Sequence, residues 1–221
     1  MADVQKIKAL VDEKADKFVG VANQVWSTPE LGFKEEKSAA ALIAALESEG
    51  FKVTTGLAGI PTAFVGVWGE GHPAIGLLGE FDALPGLSQE AGNDVHTPVC
   101  DGGNGHGCGH NLLGAGSLAA AVAVKDYMIQ NGIKGSVHFF GCPGEEFGCG
   151  KMFMARAGAF DGIDAAFTWH PSNLNSVWGV SSLANNSIYY KFKGRTSHAA
   201  ASPHLGRSAL DACELIDRKS V

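Results

Sequence analysis

The sequence predicts an α/β fold in which a mostly parallel sheet carries helices on both faces. Short apolar runs rich in β-branched and aromatic residues alternate with longer runs of helical periodicity along residues 1–169. This alternation is typical of a parallel sheet covered on both sides. Glycine makes up 30 of the 221 residues, about twice its usual share of roughly 7%. Many of these glycines stand at the ends of the apolar runs, where they favour tight crossings from strands into loops.

Two helices are predicted at the N-terminus. Apolar residues between Ile7 and Val25 recur every three or four positions, which indicates one buried stripe. Pro29 marks the end of this helix, because proline disfavours helix before it. The second helix is predicted over residues 35–49, and Gly50 directly after it is a favourable residue for the C-terminal cap.

Short apolar runs bounded by glycine or proline predict the strands of the main sheet. These runs cover residues 51–55, 62–68, 74–78, 136–140 and 165–169. Helices are predicted between the later strands at residues 111–130 and 151–157, and a long loop connects residue 79 to residue 107.

A second, smaller domain is predicted near the C-terminus. Residues 176–182 and 185–192 have the pattern of two antiparallel strands, and a helix is predicted to begin near Gly206. We therefore expect one domain over residues 1–183 and the beginning of a small α+β domain over residues 184–221. This beginning is too short for a free-standing domain, so the chain is expected to be truncated.

Composition excludes several classes of protein. Lys and Arg number 17 against 23 Asp and Glu, a net charge of −6 without a basic stripe for nucleic acid. The N-terminus has no secretory signal pattern, and residues 118–124, the longest apolar stretch, are far fewer than the ~20 that a membrane helix needs. Five cysteines in such a chain favour metal ligands or packed thiols over disulfides. We expect a soluble cytoplasmic protein that binds neither nucleic acid nor a membrane.

Side chains that can bind metals are concentrated at one end of the predicted sheet. They are Glu80 and Asp82 after the third strand, Cys108 and His110 before a helix, Glu145 and Glu146 after the fourth strand, and His170 after the fifth. The carboxyl ends of strands in an open α/β sheet are where ligands bind. Thiolate, imidazole and carboxylate together suit Zn, Mn, Fe or Co better than Ca or Mg.

Each of these residues alone also has an ordinary structural interpretation. Cys108 could be a packed thiol, although its place at a helix entrance favours the thiolate that a metal requires. Glu145 and Glu146 could be part of a solvated acidic loop. After Pro143 and Gly144 the backbone need not be regular, so one carboxylate could bind metal while the other accepts a proton from water. The shared end of the sheet favours the functional interpretation.

Five segments resemble the two-metal amidohydrolases of the aminoacylase and carboxypeptidase-G superfamily. They are TPELGF at residues 28–33, LGEFDALPGL at 78–87, GHGCGHN at 105–111, CPGEE at 142–146 and TWHP at 168–171. The resemblance extends over nearly the whole chain. Within that superfamily, the long insertion between Pro85 and Cys108 is most similar to hydrolases of p-aminobenzoyl-glutamate.

The resemblance implies a role for each candidate residue. It implies two divalent metal ions, Mn or Zn, whose ligands here are Cys108, His110, Glu146 and His170. Glu145 matches the general base, and Asp82 matches a carboxylate that orients a ligand. The segment FKGRTSHAA at residues 192–200 resembles the opening of the lid and dimerisation domain, in which His198 would reach into the partner subunit's site and polarise the scissile carbonyl.

The function implied is metal-dependent hydrolysis of the amide bond of a small N-acyl amino acid, with p-aminobenzoyl-glutamate as the favoured substrate. Residues 1–183 would be an incomplete catalytic domain, and the full-length protein would form a homodimer or pair with a related subunit. The superfamily has one more ligand histidine, expected beyond Val221, unless His96 or His106 fills that position. Two alternatives stay open: a non-catalytic fragment or partner subunit with a structural metal site, and an α/β domain without metal.

Overall fold

The computed structural model describes residues 4–218 with the exception of Val180, Ser182, Asn185 and Ser187. The chain divides into two compact units, Met1–Ser176 and Val177–Val221. The boundary predicted between residues 183 and 184 lies a little further along the chain than this division.

The helices of the described residues follow the predicted order. They are α1 (Val4–Glu13), α2 (Ala15–Ser27), α3 (Glu36–Ser48), α4 (His110–Asn131), α5 (Glu145–Gly148), α6 (Gly150–Arg156) and α7 (Ala209–Asp217). The single N-terminal helix of the prediction is divided into α1 and α2 at Lys14, whose φ is −112°. The Lys14 ammonium there donates hydrogen bonds to Glu49 and Asp126. The short helix α5 lies where an irregular loop was expected.

The first unit contains a five-stranded sheet, which confirms the α/β class. Its strands are β1 (Lys52–Thr55), β2 (Phe64–Glu70), β3 (Ala74–Gly79), β4 (Gly135–Gly141) and β5 (Ala165–Phe167), in the order β1-β2-β4-β3-β5. Strand β3 pairs in parallel with β4 and β5, whereas β2 pairs antiparallel with β1 and β4. The sheet is therefore mixed, because the short β1–β2 connection reverses the chain and only long crossovers produce parallel neighbours.

Both faces of this sheet are covered. Phe139 on β4 points towards α2, α3 and α4, where it joins the larger apolar core. The next residue, Phe140, points to the opposite face because side chains alternate along a strand. There it packs with Met154 of α6 and with Phe160. Because both faces are packed with apolar side chains, the ends of the strands are where polar side chains of the sheet can gather.

Helix α4 crosses the middle of the larger core. Its 22 residues are long and apolar enough to span a membrane by length and composition alone. In this unit α4 packs against α2, β3 and β4, with Leu113, Leu118 and Val122 buried. A central position in the core accounts for its apolar composition.

The two strands predicted in the second unit do not occur among its described residues. No described residue of 176–192 pairs with another strand, and Val177, Leu183 and Tyr189 are exposed. Val180, Ser182, Asn185 and Ser187, which belong to the same prediction, lie outside the described residues. An alternating pattern forms a strand only where a neighbour satisfies its backbone. In the described part of this unit, the β-type backbone pairing that is seen is an isolated bridge between Arg195 and Arg207.

Candidate metal centre

Parallel pairing brings the carboxyl ends of β3, β4 and β5 to one edge of the sheet. The Cys142 N–H donates to the Gly79 carbonyl across that edge, at 2.8 Å. Glu80 and Asp82 continue from β3, α5 begins shortly after β4, and His170 follows β5. The predicted clustering of ligand-type side chains at one end of the sheet is therefore what the fold produces.

Cys108, His110 and His170 form one group of possible metal ligands. Their ligand atoms all lie within 4.8 Å of one another, and the Cys108 Sγ is 3.3 Å from the His170 Nε2. Gly109 allows this arrangement because it adopts a φ of +79°, which lets α4 begin at His110. A Cβ at this position would come within 3.0 Å of the Pro171 ring, so a larger residue would push the two segments apart.

Glu80, His110 and Glu145 form a second group within the same 4.8 Å limit. The His110 Nε2 lies 3.1 Å from the Glu80 Oε2 and 3.9 Å from the Glu145 Oε2. His110 thus belongs to both groups, and it is fully buried between them. The donors of the two groups therefore lie side by side around one imidazole.

Asp82 fixes the orientation of His110. The His110 Nδ1–H donates to the Asp82 Oδ1 at 2.9 Å, and the other carboxylate oxygen accepts the Glu146 backbone N–H at 2.9 Å. Burial lowers the pKa of His110, but the hydrogen bond and negative charge of Asp82 outweigh burial and raise it above its usual value. With Nδ1 engaged by a carboxylate, Nε2 is the atom directed at a metal, as in carboxylate–histidine–metal sites.

Three buried polar atoms at this edge make no hydrogen bond of good geometry among the described residues, although two of them, on His110 and Glu80, contact each other as an ion pair. They are the His110 Nε2, the Glu80 Oε2 and the Glu146 Oε1. Buried polar atoms without a partner are costly and uncommon. Together with the Cys108 thiol they form the nitrogen, oxygen and sulfur donor set that divalent transition metals prefer. The residues present therefore fit a metal.

The Cys108 thiol responds to the surrounding carboxylates. Burial and the negative charges of Glu146, Glu145 and Glu80 raise the pKa of Cys108 to about 12. A divalent cation reverses this effect, because a coordinated thiol loses its proton. The negative charges of these carboxylates therefore favour the binding of a cation next to Cys108.

Residues 76–213 match the model of the peptidase family M20/M25/M40. The chain belongs to this family. The match begins within β3, includes all candidate ligands and ends within α7, so the superfamily resemblance of the sequence motifs is confirmed.

Two relatives and one solved structure illustrate the M20/M25/M40 family. The chain is 52% identical to a subunit of the p-aminobenzoyl-glutamate hydrolase of Escherichia coli K12, over 96% of the chain and 45% of that protein. It is 33% identical to the Xaa-Arg dipeptidase of Mus musculus, over 93% of the chain and 46% of that protein. The chain thus spans about half the length of these relatives.

The solved structure supports the fold. A dinuclear metal-binding peptidase of the M20 family from Bacillus subtilis superposes with a TM-score of 0.57 at 24% identity. The superposition covers 75% of this chain and 44% of the Bacillus protein. At this identity the likeness demonstrates a shared fold and not a shared substrate.

Two acidic side chains of this M20 chain differ in their surroundings. The Lys151 ammonium donates to Glu80 in a short ion pair, and Glu80 raises the pKa of Lys151 although burial lowers it. Glu145 is 38% exposed. Burial, followed by the charges of Glu80 and Glu146, raises the pKa of Glu145 above its ordinary value. A carboxylate with a raised pKa next to buried ligands is suited to accept and return a proton.

The loop that carries Glu145 is held by a residue that the sequence analysis missed. Glu35 is fully buried, its Oε1 accepts the Gly144 N–H at 2.7 Å, and its Oε2 accepts the Thr62 hydroxyl at 3.1 Å. The N-cap position of α3 gave Glu35 the pattern of an ordinary exposed helix-start residue, so the sequence carried no signal for this contact. Glu80 was noticed among the ligand-type residues but given no role, and Lys151 was not noticed as a functional residue.

The remaining histidines lie elsewhere. His198 is in the second unit, where its Nδ1 accepts the N–H groups of Ala200 and Ala201 at 3.2 and 3.0 Å; its predicted role stays a prediction. His106 does not fill a ligand position, because its Nε2 donates to the Val25 carbonyl at 3.1 Å. His96 is exposed and belongs to neither ligand group of the described residues.

Proposed function

We propose that this chain provides the metal centre of an amidohydrolase that cleaves small N-acyl amino acids. The observation that carries the proposal is the buried His110, whose Nε2 lies 3.1 Å from the Glu80 Oε2, makes no hydrogen bond of good geometry among the described residues, and belongs to two ligand groups. An ion pair between His110 and Glu80 alone leaves the Glu146 Oε1 without a hydrogen bond in the described part of the chain, whereas a metal ion would satisfy all three buried atoms.

The proposed ligands are Cys108, His110 and His170, which form one group, and Glu146, which lies close to Cys108 and raises the pKa of its thiol. Glu80 is a further carboxylate, grouped with His110 and with Glu145. We propose two divalent ions, manganese or zinc, because the two groups together offer more donor atoms than one four-coordinate ion uses. His110 would coordinate one of these ions through Nε2. When bound, such ions act as Lewis acids towards a carbonyl oxygen and lower the pKa of water. Asp82 holds the His110 ring so that Nε2 faces this centre.

Glu145 is the proposed proton carrier. Its carboxylate accepts a proton from water as the water oxygen forms a bond to the acyl carbon of the substrate. The same carboxyl group then returns this proton to the amide nitrogen as the carbon–nitrogen bond breaks. The products are the free carboxylic acid and the amino acid. The raised pKa of Glu145 favours both transfers, because it brings the carboxyl group closer to the pH at which the reaction runs.

The proposed substrate is p-aminobenzoyl-glutamate, which would yield p-aminobenzoate and glutamate. The support is the 52% identity to a relative with that named activity, over nearly the whole chain. The dipeptidase relative at 33% identity makes an Xaa-Arg dipeptide the natural comparison substrate. Hydrolysis of the dipeptide in preference to p-aminobenzoyl-glutamate would contradict the substrate assignment.

We further propose that the complete protein assembles as a homodimer or with a related subunit, in the cytoplasm. The Escherichia coli relative is named as one subunit of a hydrolase, which supports pairing. In such an assembly His198 would contribute to the partner's site. Light scattering after size-exclusion chromatography would test the assembly, and a monomer at every concentration would contradict it.

Glu145→Gln separates proton transfer from metal binding. We expect the variant to retain its metal content and to lose at least about 100-fold in hydrolysis rate, because an amide accepts no proton. Metal content is measured by elemental analysis and hydrolysis by release of p-aminobenzoate, with Glu47→Gln as an exposed control. Parallel loss of metal and activity would show that Glu145 is a ligand and that its role is exchanged with that of Glu146. Bound metal without hydrolysis in the unsubstituted protein would favour the structural metal site instead.

A further inference from the structure

Two neighbouring cavities share one wall, and one of them reaches Cys108 of the candidate metal centre. The first has a volume of about 520 Å³ and lies between the end of α2 and the loop at residues 88–105. The second has a volume of about 440 Å³ and extends to Cys108 and Asn111. Trp26, Ala91 and His106 line both cavities. We call the two cavities together the double pocket.

The shared wall of the double pocket is aromatic. The rings of Trp26 and His106 are stacked, with their centroids 6.3 Å apart and an angle of 29° between their planes. The hydrogen bond from the His106 Nε2 to the Val25 carbonyl holds the imidazole in place. The His106 Nδ1 is buried, so the wall presents the aromatic faces and edges of these two rings rather than a polar atom.

The loop that encloses the first cavity is ordered by its own contacts. Leu84 and Gly105 form an antiparallel bridge, and the Ser88 N–H donates to the Gly103 carbonyl at 3.0 Å. The Asn104 side chain donates to the Pro29 carbonyl at 3.1 Å, which joins the loop to the segment after α2. A Cβ at Gly105 would fall 1.8 Å from the Leu87 carbonyl oxygen. The cavity is therefore formed before any ligand binds, as is usual for small-molecule sites.

We propose that the double pocket binds the aromatic acyl group of the substrate and so selects aryl over alkyl N-acyl amino acids. The inference rests on the proposed function, because it extends that function to one part of the substrate. A benzoyl ring between the loop and Trp26 would stack on an aromatic surface. Because the second cavity reaches Cys108, the amide bond next to that ring would then lie beside this candidate ligand.

The test compares two ligands that differ in the acyl group alone. Binding of N-benzoyl-glutamate and of N-acetyl-glutamate is measured by isothermal titration calorimetry, with and without manganese. We expect the unsubstituted protein to bind the benzoyl ligand at least about tenfold more tightly. Trp26→Leu removes the aromatic wall and should reduce the ratio of the two affinities to about one to three.

A second variant tests the same cavity without disturbing the core. Ala91 is exposed and lines both cavities, so Ala91→Trp should fill the double pocket and also abolish the preference. Val95→Trp is the matched control, because Val95 is exposed on the same loop and lines neither cavity. We expect this control to retain the unsubstituted ratio.

The outcomes distinguish this inference from the proposed function. Equal affinity of the unsubstituted protein for both ligands would overturn the aryl preference and leave the proposed function standing. A preference that survives both Trp26→Leu and Ala91→Trp would show that the ring binds elsewhere, which also overturns the inference. Binding of neither ligand, with or without manganese, would contradict the proposed function and the inference with it.

Discussion

Glu49→Gln is expected to destabilise the first unit, because Glu49 connects three helices through lysine side chains. Its carboxylate accepts hydrogen bonds from Lys14 and Lys17, both at 2.5 Å, and from Lys125 at 3.3 Å. These lysines belong to the α1–α2 junction, to α2 and to α4. The side chain of Glu49 is 8% exposed, so the neutral amide would leave positive charges without their main partner.

The magnitude follows from the pKa of Glu49. Burial raises that pKa, but the hydrogen bonds and charges of the three lysines outweigh burial and lower it from 4.5 to about 2. At 1.36 kcal/mol for each pKa unit, this difference corresponds to about 3 kcal/mol. Lys14 and Lys17 are 26% and 36% exposed, so solvent screening reduces the expected loss to about 2 kcal/mol. For a domain of this size that loss corresponds to a fall in Tm of roughly 4–8 °C.

The pH dependence has a definite sign. Because the pKa of Glu49 is lower in the folded state than in the unfolded state, its contribution is fully present above pH 4.5 and disappears as the pH falls towards 2. Urea unfolding of metal-free protein, followed by circular dichroism at several pH values from 7 to 3, measures both effects. Glu47→Gln is the control, because Glu47 is exposed on the same helix. A loss below about 0.5 kcal/mol at pH 7, or a loss independent of pH, would refute this reasoning.

Two further substitutions concern the metal centre. Asp82→Asn should weaken manganese binding by roughly 10–100-fold, because the amide no longer holds His110 through a charged hydrogen bond. Isothermal titration calorimetry measures the affinity for manganese. An unchanged affinity would show that Asp82 does not orient His110. Lys151→Met removes the cation that is paired with Glu80, so a divalent metal should bind several-fold more tightly, on the order of 1 kcal/mol. Weaker binding by Lys151→Met would instead show that Lys151 positions Glu80 for the metal.

Much of the candidate site could be predicted because local sequence determines it. Ligand-type residues placed directly after strands must meet at one edge once those strands pair in parallel, and Glu80, Glu145 and His170 do so. Gly109 likewise stands where α4 begins and allows its unusual backbone conformation. These features depend on residues close together in the chain.

The features that were missed depend on contacts between distant segments. Glu35 is 109 residues from Gly144, and Lys151 is 71 residues from Glu80, so no local pattern distinguishes these residues from ordinary surface charges. The antiparallel pairing of β2 with β4, which makes the sheet mixed, also depends on contacts between segments that are distant in the sequence. The strands predicted over residues 176–192 failed in the described residues for the same reason, since strand formation depends on a partner.

The buried Glu35 determines where a shortened version of this protein can begin without disturbing the candidate site. The family match begins at residue 76, and every candidate ligand lies after that point. A chain trimmed to the matched segment would keep all those ligands and lose the carboxylate that fixes Gly144, directly before Glu145 and Glu146. The segment that the family model matches therefore begins later than the first compact unit, and the N-terminal residues of that unit help to position the candidate site although they contribute no candidate ligand.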